Sequence, residues 1–195
     1  MSLRALPISG TVQIRMRSLS RLSQVLAIVI CAMPALPVAM ATLMRTMDLA
    51  ELTASSDQIV VGDVVSQESA WDSQHRNIYT TIEISIRESW KGGTPADGRI
   101  RIRQLGGMVG DIEMSVHGMP RFAPGERSLL FLRQTQVVGW SQGKRRVHWD
   151  STGNRWLADA PDRSGISLDA QARPESNQPE ALDRLRERIR VLIGK

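Results

Sequence analysis

Alternation of apolar and polar residues predicts β-strands along most of the chain after residue 57. The clearest case is 78–86, where isoleucine occupies most of the alternate positions. Residues 58–66 are rich in β-branched side chains, with Gly62 as the expected bulge or bend, and 128–132 form an apolar run typical of a central strand. Together with 99–103, these segments predict a mainly β fold, built as a closed or partly closed antiparallel barrel.

Shorter elements flank and interrupt the predicted strands. Residues 48–52 read as a short helical turn, and 136–140 with 146–149 predict a hairpin around Gly143. The stretch 106–120 is rich in glycine and predicts an irregular loop.

The last predicted element is a C-terminal amphipathic helix over 179–194. Pro179 suits a first helical turn, and apolar residues recur at helical spacing to form one stripe. Packing on the barrel or binding a partner would each cover this stripe, and the sequence leaves both open. The predicted organisation is a leader over 1–41, a β-barrel domain over 42–157, a polar linker over 158–178 and this helix.

The first 41 residues have the pattern of a secretory signal peptide. Basic residues precede an apolar run over 25–33, and Ala39-Met40-Ala41 supplies the small residues that place a cut before Thr42. This predicts a secreted or periplasmic protein. Met16 is a second candidate start and would leave Arg17 and Arg21 as a short basic region. Two alternatives to a cleaved leader remain open: acylation at Cys31, and an uncleaved membrane anchor over 25–44, which has the length to cross a bilayer.

The charge balance changes once the leader is set apart. The chain carries a net charge of +5, but four of its 25 basic residues lie in the leader, leaving 21 bases against 20 acids beyond it. A nearly neutral remainder argues against nucleic acid as a partner. Cys31, the single cysteine, also lies in the leader, which excludes disulfides, thiolate metal sites and cysteine nucleophiles from the remainder.

No pattern of catalytic or metal-ligating residues is recognisable. His75, His117 and His148 are widely separated, no G-x-S-x-G elbow occurs, and the glycines after residue 105 lack the G-K-[ST] ending of a phosphate-binding loop. We therefore predict no catalytic residue, no metal and no cofactor. The five tryptophans are frequent for this length and are typical of a carbohydrate- or peptide-binding surface, although some are expected in the core.

Three short motifs occur in an order that resembles a known family. Residues 59–65 form the first, Trp90-Lys91-Gly92 closes a strand, and 124–132 begins with Pro-Gly-Glu and continues into an apolar strand. This order resembles netrin-like, or tissue-inhibitor-of-metalloproteinase-like, OB-fold domains. The glycines after residue 105 with Pro120, Phe122 and Gly125-Glu126 are also similar to uncharacterised exported bacterial proteins.

The resemblance covers roughly residues 48–150 and implies an OB-type barrel of five or more strands that binds a protein partner. The family's inhibitors chelate a protease zinc through an amino-terminal cysteine, which Thr42 and its neighbours cannot do. The inhibitory mechanism therefore does not transfer to this chain.

The leading hypothesis is an exported, non-enzymatic protein-binding domain. Its partner is expected to be another exported protein, a protease among the candidates, with a membrane involved only if the leader is retained. The alternatives are an enzyme acting on cell-surface polymers and a membrane-anchored structural subunit. The expected contact surface is the glycine-rich loop, whose candidate binding residues are Gly106, Gly107, Gly110, Gly118, Met119, Pro120 and Arg121.

Overall fold

A large antiparallel sheet, a separate two-stranded hairpin, two α-helices and a 3₁₀ helix make up the computed structural model, which describes residues 45–162 and 176–194. The mainly β prediction and the C-terminal helix are confirmed. The elements in chain order are α1 (Leu49–Ser55), β1 (Gln58–Trp71), β2 (Ile78–Lys91), β3 (Arg99–Leu105), β4 (Gly107–Val109), β5 (Ile112–Met114), β6 (Arg127–Arg133), β7 (Gln136–Val137), a 3₁₀ helix (Trp140–Gly143), β8 (Lys144–Asp150), β9 (Arg155–Ala158), β10 (Glu180–Ala181) and α2 (Leu182–Ile193).

The main sheet has the strand order β10-β9-β8-β6-β1-β2-β3, and every neighbouring pair is antiparallel. Strand β7 also pairs with β6, while β4 and β5 form a separate hairpin. The register of β1 against β2 shifts between Val61 and Gly62. A Cβ on Gly62 would lie 2.5 Å from Cγ2 of Ile84, so the bulge brings the two strands too close for a side chain.

Apolar residues fill both faces of the sheet, which explains why β6 reads as an uninterrupted apolar run. On one face, Leu129 and Phe131 pack with Ile59 and Val61 beneath both helices. On the other face, a second cluster forms without helices; its buried members are Val60, Val64, Ile82, Ile84, Ile102, Leu130 and Leu132.

Helix α1 is held at both ends by hydrogen bonds. At its start, the side chain of Asp48 accepts from Glu51 N, while the side chain of Glu51 accepts from Asp48 N. At its end, Lys91 Nζ donates to the carbonyl oxygens of Thr53 and Ser56, at 2.7 and 2.6 Å. The lysine at the end of β2 thus satisfies carbonyl groups that the helix leaves without an internal partner.

The predicted hairpin around Gly143 is wrong. Strands β7 and β8 do not pair with each other; both pair with β6, and the 3₁₀ helix lies between them. Gly139 and Trp140 both have positive φ, of 66° and 61°, and this left-handed backbone interrupts what would otherwise be one strand. In the loop before β7, Thr135 O accepts from Arg103 N of β3 at 3.1 Å.

The C-terminal helix begins later than the sequence predicts. Glu180–Ala181 form β10, which pairs with β9, and the helix starts at Leu182. Its buried residues Leu185 and Ile189 join the core beneath the sheet. Residues 1–44, which include the predicted leader, and 163–175 of the predicted linker lie outside the described residues. In the described part, no helix has the length and apolarity needed to span a membrane.

Candidate functional site

The first two glycines of the predicted binding loop have a structural role. Gly106 is buried and its carbonyl accepts from Thr80 Oγ1 at 2.6 Å. A Cβ on Gly107 would lie 2.2 Å from Thr80 Oγ1 and 2.4 Å from Ser69 Oγ, and its φ of +137° is unfavourable for other residues. These glycines let the loop pack directly on β1 and β2.

Gly110 lies in the turn of the β4–β5 hairpin (107–114), which exposes apolar side chains. Met108 and Ile112 are 65% and 55% exposed. They point to opposite faces, because Met108 pairs with Glu113 and Ile112 pairs with Val109 in the register of the hairpin. The hairpin is therefore a ribbon with one exposed apolar side chain on each face.

The last four predicted residues form a turn packed against other elements. Gly118 O accepts from Ser141 N of the 3₁₀ helix at 2.9 Å. Pro120 is buried and its carbonyl accepts from Gln104 Nε2 at 3.2 Å, Met119 is partly exposed, and Arg121 is exposed. The seven predicted residues thus divide between the hairpin, its base and this turn.

A different surface brings together exposed aromatic and charged side chains around a cleft of about 600 Å³. Trp149 on β8 and Trp156 on β9 are cross-strand neighbours, with ring centroids 5.3 Å apart and an interplanar angle of 71°. They are 48% and 37% exposed. We call this surface the tryptophan–arginine cleft; its lining residues that bear on the argument are Asp63, Glu126, Arg127, Arg146, His148 and Trp156.

Arg127 connects the aromatic side of the cleft to its acidic side. Its guanidinium carbon lies 4.5 Å from the ring centroid of Trp156, and its Nε donates to Asp63 Oδ1 at 2.6 Å. Arg87 donates to the other carboxylate oxygen of Asp63 at 2.7 Å. The hydrogen bond from Arg127, followed by that from Arg87, lowers the pKa of Asp63 despite partial burial. Asp63 therefore stays ionised, which makes it a poor general acid.

The remaining charges of the cleft are unevenly paired. Glu126 is 2.5 Å from Lys144 Nζ and accepts from Ser128 Oγ, and His148 Nδ1 is 3.3 Å from a carboxylate oxygen of Asp159. Arg146 is exposed and forms no ion pair with any residue of the described ranges. Arg127 pairs with Asp63 and Lys144 with Glu126, which leaves Arg146 as the lining base outside an ion pair in the described ranges.

The other candidate side chains lie elsewhere. Trp90 packs against the core and donates to Glu88, whereas Trp71 stacks on His75 at the β1–β2 turn. Within the described residues, no group of three or more His, Cys, Asp or Glu is arranged to hold a metal ion. Aromatic pairing and ion pairs are the interactions that the described residues form around this cleft.

Sequence reasoning identified the tryptophans as a class but missed the ion pair of Arg127 with Asp63. The sequence does contain one signal for the tryptophan pair. Trp149 and Trp156 are equally distant from the turn over 151–154, as residues that pair across a hairpin are. Comparison of the chain with protein-family models, curated proteins and solved structures finds no match in any of the three.

Proposed function

We propose that this chain is an exported, non-enzymatic protein-binding domain whose contact surface is the tryptophan–arginine cleft. The observation that carries the proposal is the exposed Trp149–Trp156 pair with Arg127 against one ring. Tryptophan and arginine are the side chains most enriched at energetically dominant positions of protein interfaces. Two large aromatic rings held by a hairpin also lose little side-chain entropy on binding.

The location and the partner follow from the leader pattern and the family resemblance. A secretory leader over 1–41 would place the domain in the periplasm or outside the cell, where its partner is another exported protein. The resemblance to inhibitor-like domains makes a protease a candidate partner. The only cysteine precedes the predicted cut, so recognition would use the cleft rather than chelation of a zinc ion.

We also propose that the sheet closes into an OB-type barrel. Strands β1, β2, β3 and β6 lie in the order expected for that fold, with β7 and β8 following one another along β6. The hydrogen bond from Arg103 N to Thr135 O links the edge of β3 to the loop before β7. An apolar interior, formed by the cluster around Ile82 and Leu130, supports this closure.

The test is capture of partners from the native exported fraction by wild-type protein and by a Trp149→Ala/Trp156→Ala variant. A specific partner should be recovered by the wild type, and its affinity should fall at least about tenfold for the variant. Trp71→Ala is the matched control, because it removes a tryptophan from the opposite end of β1 and should leave binding unchanged. The proposal would be rejected if the wild type recovers no specific partner. It would also be rejected if the Trp149→Ala/Trp156→Ala variant binds the partner as tightly as the wild type does.

An enzyme acting on cell-surface polymers is the second candidate, because Trp156 lies beside the carboxylates of Asp63 and Glu126 in the cleft. Glycoside hydrolysis needs one of two such carboxyl groups to act as an acid. The ion pairs to Arg127 and Lys144 oppose that role. Hydrolysis of a polysaccharide that Glu126→Gln abolishes would favour this candidate over binding alone.

The membrane-anchored structural subunit requires that residues 25–44 remain in the mature protein. Amino-terminal sequencing of the native protein distinguishes the two cases, because a cut before Thr42 removes residues 25–41 of this segment.

A further inference from the structure

We propose that the tryptophan–arginine cleft of one molecule binds the β4–β5 hairpin of a second copy of this chain. The inference rests on the proposed function, since it uses the same cleft, and it specifies the chemistry of one ligand. That ligand is a β-ribbon with exposed apolar side chains and acidic residues near its tip.

The hairpin has both properties. Met108 and Ile112 are its exposed apolar residues, one on each face. Residues 107–114 contain Asp111 and Glu113 but no base, which gives the hairpin a charge of −2. Both carboxylates are exposed, and neither forms an ion pair in the part of the chain that the structure covers.

The cleft is complementary in both respects. The rings of Trp149 and Trp156 offer apolar area to Met108 or Ile112, and the guanidinium of Arg146 is opposite in charge to the acidic residues of the hairpin. Arg146 is exposed at the cleft and is the cation available there for a new carboxylate partner. Opposite charges that meet at an interface speed association and set the orientation of the partners.

The two surfaces lie apart in one molecule. Gly107 packs against Ser69 near the far end of β1, whereas Asp63 of the cleft is six positions earlier on that strand. At about 3.3 Å per residue, the separation along β1 is about 20 Å. A contact between hairpin and cleft is therefore intermolecular, and it joins copies either reciprocally in a two-fold dimer or head to tail in rings and open chains.

The test uses the full-length gene product, purified from cells after any processing that they carry out. Its molar mass is measured by light scattering and sedimentation. Wild-type protein should show a mass that rises with concentration up to about 1 mM and exceeds that of the monomer. Raising the salt from about 0.1 M to about 1 M shortens the Debye length from about 10 Å to about 3 Å and should weaken the association.

Two charge-reversal variants make the test specific. Asp111→Lys/Glu113→Lys changes the hairpin from −2 to +2, and Arg146→Glu replaces the exposed base of the cleft with an acid. Each variant alone should be monomeric, because the hairpin and position 146 then carry charges of the same sign. An equimolar mixture should associate again, since the hairpin of each variant meets the opposite charge at position 146 of the other. Glu68→Lys and Arg184→Glu, at other exposed positions, are controls that should associate like the wild type.

A wild type that stays monomeric over the whole concentration range would overturn the inference. Variants that associate like the wild type, or a mixture that stays monomeric, would do the same. Circular dichroism verifies that each variant is folded, and all the substituted side chains are exposed. If self-association fails while the two tryptophans still hold a foreign partner, the proposed function stands and only this inference is lost.

Discussion

Replacing Leu185 with alanine tests whether helix α2 is part of the hydrophobic core. Leu185 is fully buried and packs in the cluster that joins both helices to the sheet. The substitution removes three carbons, which at about 0.8 kcal/mol each corresponds to a loss of about 2.4 kcal/mol of transfer free energy. The cavity left behind adds to this, so we expect the free energy of unfolding to fall by about 3–4 kcal/mol.

The assay is equilibrium unfolding in urea followed by tryptophan fluorescence. With an m-value of about 2 kcal/mol/M, the midpoint for Leu185→Ala should fall by about 1.5–2 M at unchanged m. Val191→Ala is the matched control on the same helix, because Val191 is 53% exposed. Its midpoint should change by less than about 0.3 M.

Equal midpoints for the two variants would refute this reasoning. They would mean that α2 does not rest on the sheet in solution. The apolar stripe of α2 would then be free for a partner, which is the alternative that the sequence left open.

Two further substitutions test packing and charge. Gly107→Ala places a Cβ 2.2 Å from Thr80 Oγ1 at a φ of +137°, and we expect it to lower the free energy of unfolding in urea by at least about 2 kcal/mol. Gly93→Ala is the control and should be nearly neutral, because open space surrounds Gly93. Equal effects of the two substitutions would contradict the packing argument. Asp63→Asn should remove a pH-dependent part of the stability. Because Arg127 lowers the folded pKa of Asp63 below 3.8, this contribution is present above the unfolded value of about 3.9 and is lost as the pH falls through the folded pKa. The stability gap between wild type and Asp63→Asn, measured from urea midpoints, should be widest near neutral pH and should narrow below about pH 4; a constant gap would contradict the ion-pair argument.

Strand positions follow from local pattern, but strand lengths do not. The alternation over 78–86 correctly predicts the start of β2 at Ile78, yet the strand continues to Lys91. Its partner β1 likewise extends to Trp71, beyond the predicted strand over 58–66. Backbone hydrogen bonds between the two strands determine these lengths, and such bonds leave little trace in the choice of side chains.

The cleft could not be predicted from the sequence for a different reason. Asp63 and Arg127 are 64 residues apart and meet only because β1 and β6 are neighbours in the sheet. Neither residue has an unusual local context, so the ion pair emerges only with the strand order. The glycine-rich loop, by contrast, is conspicuous in sequence, but Gly106 and Gly107 are there to permit close packing on β1 and β2.

The side chain of Gln142 has a consequence for the order in which the chain folds. It is almost fully buried; its Oε1 accepts from Met47 N at 2.8 Å, and its Nε2 donates to Arg45 O at 3.1 Å. These contacts span 95 and 97 positions of the chain, whereas β1 and β2 are joined by a short turn. A chain that emerges from its amino end can form that first hairpin long before Gln142 appears. The hydrogen bonds from Gln142 to residues 45–47 consequently form late, because they close a long loop. The start of the domain therefore stays accessible while the sheet is already assembling.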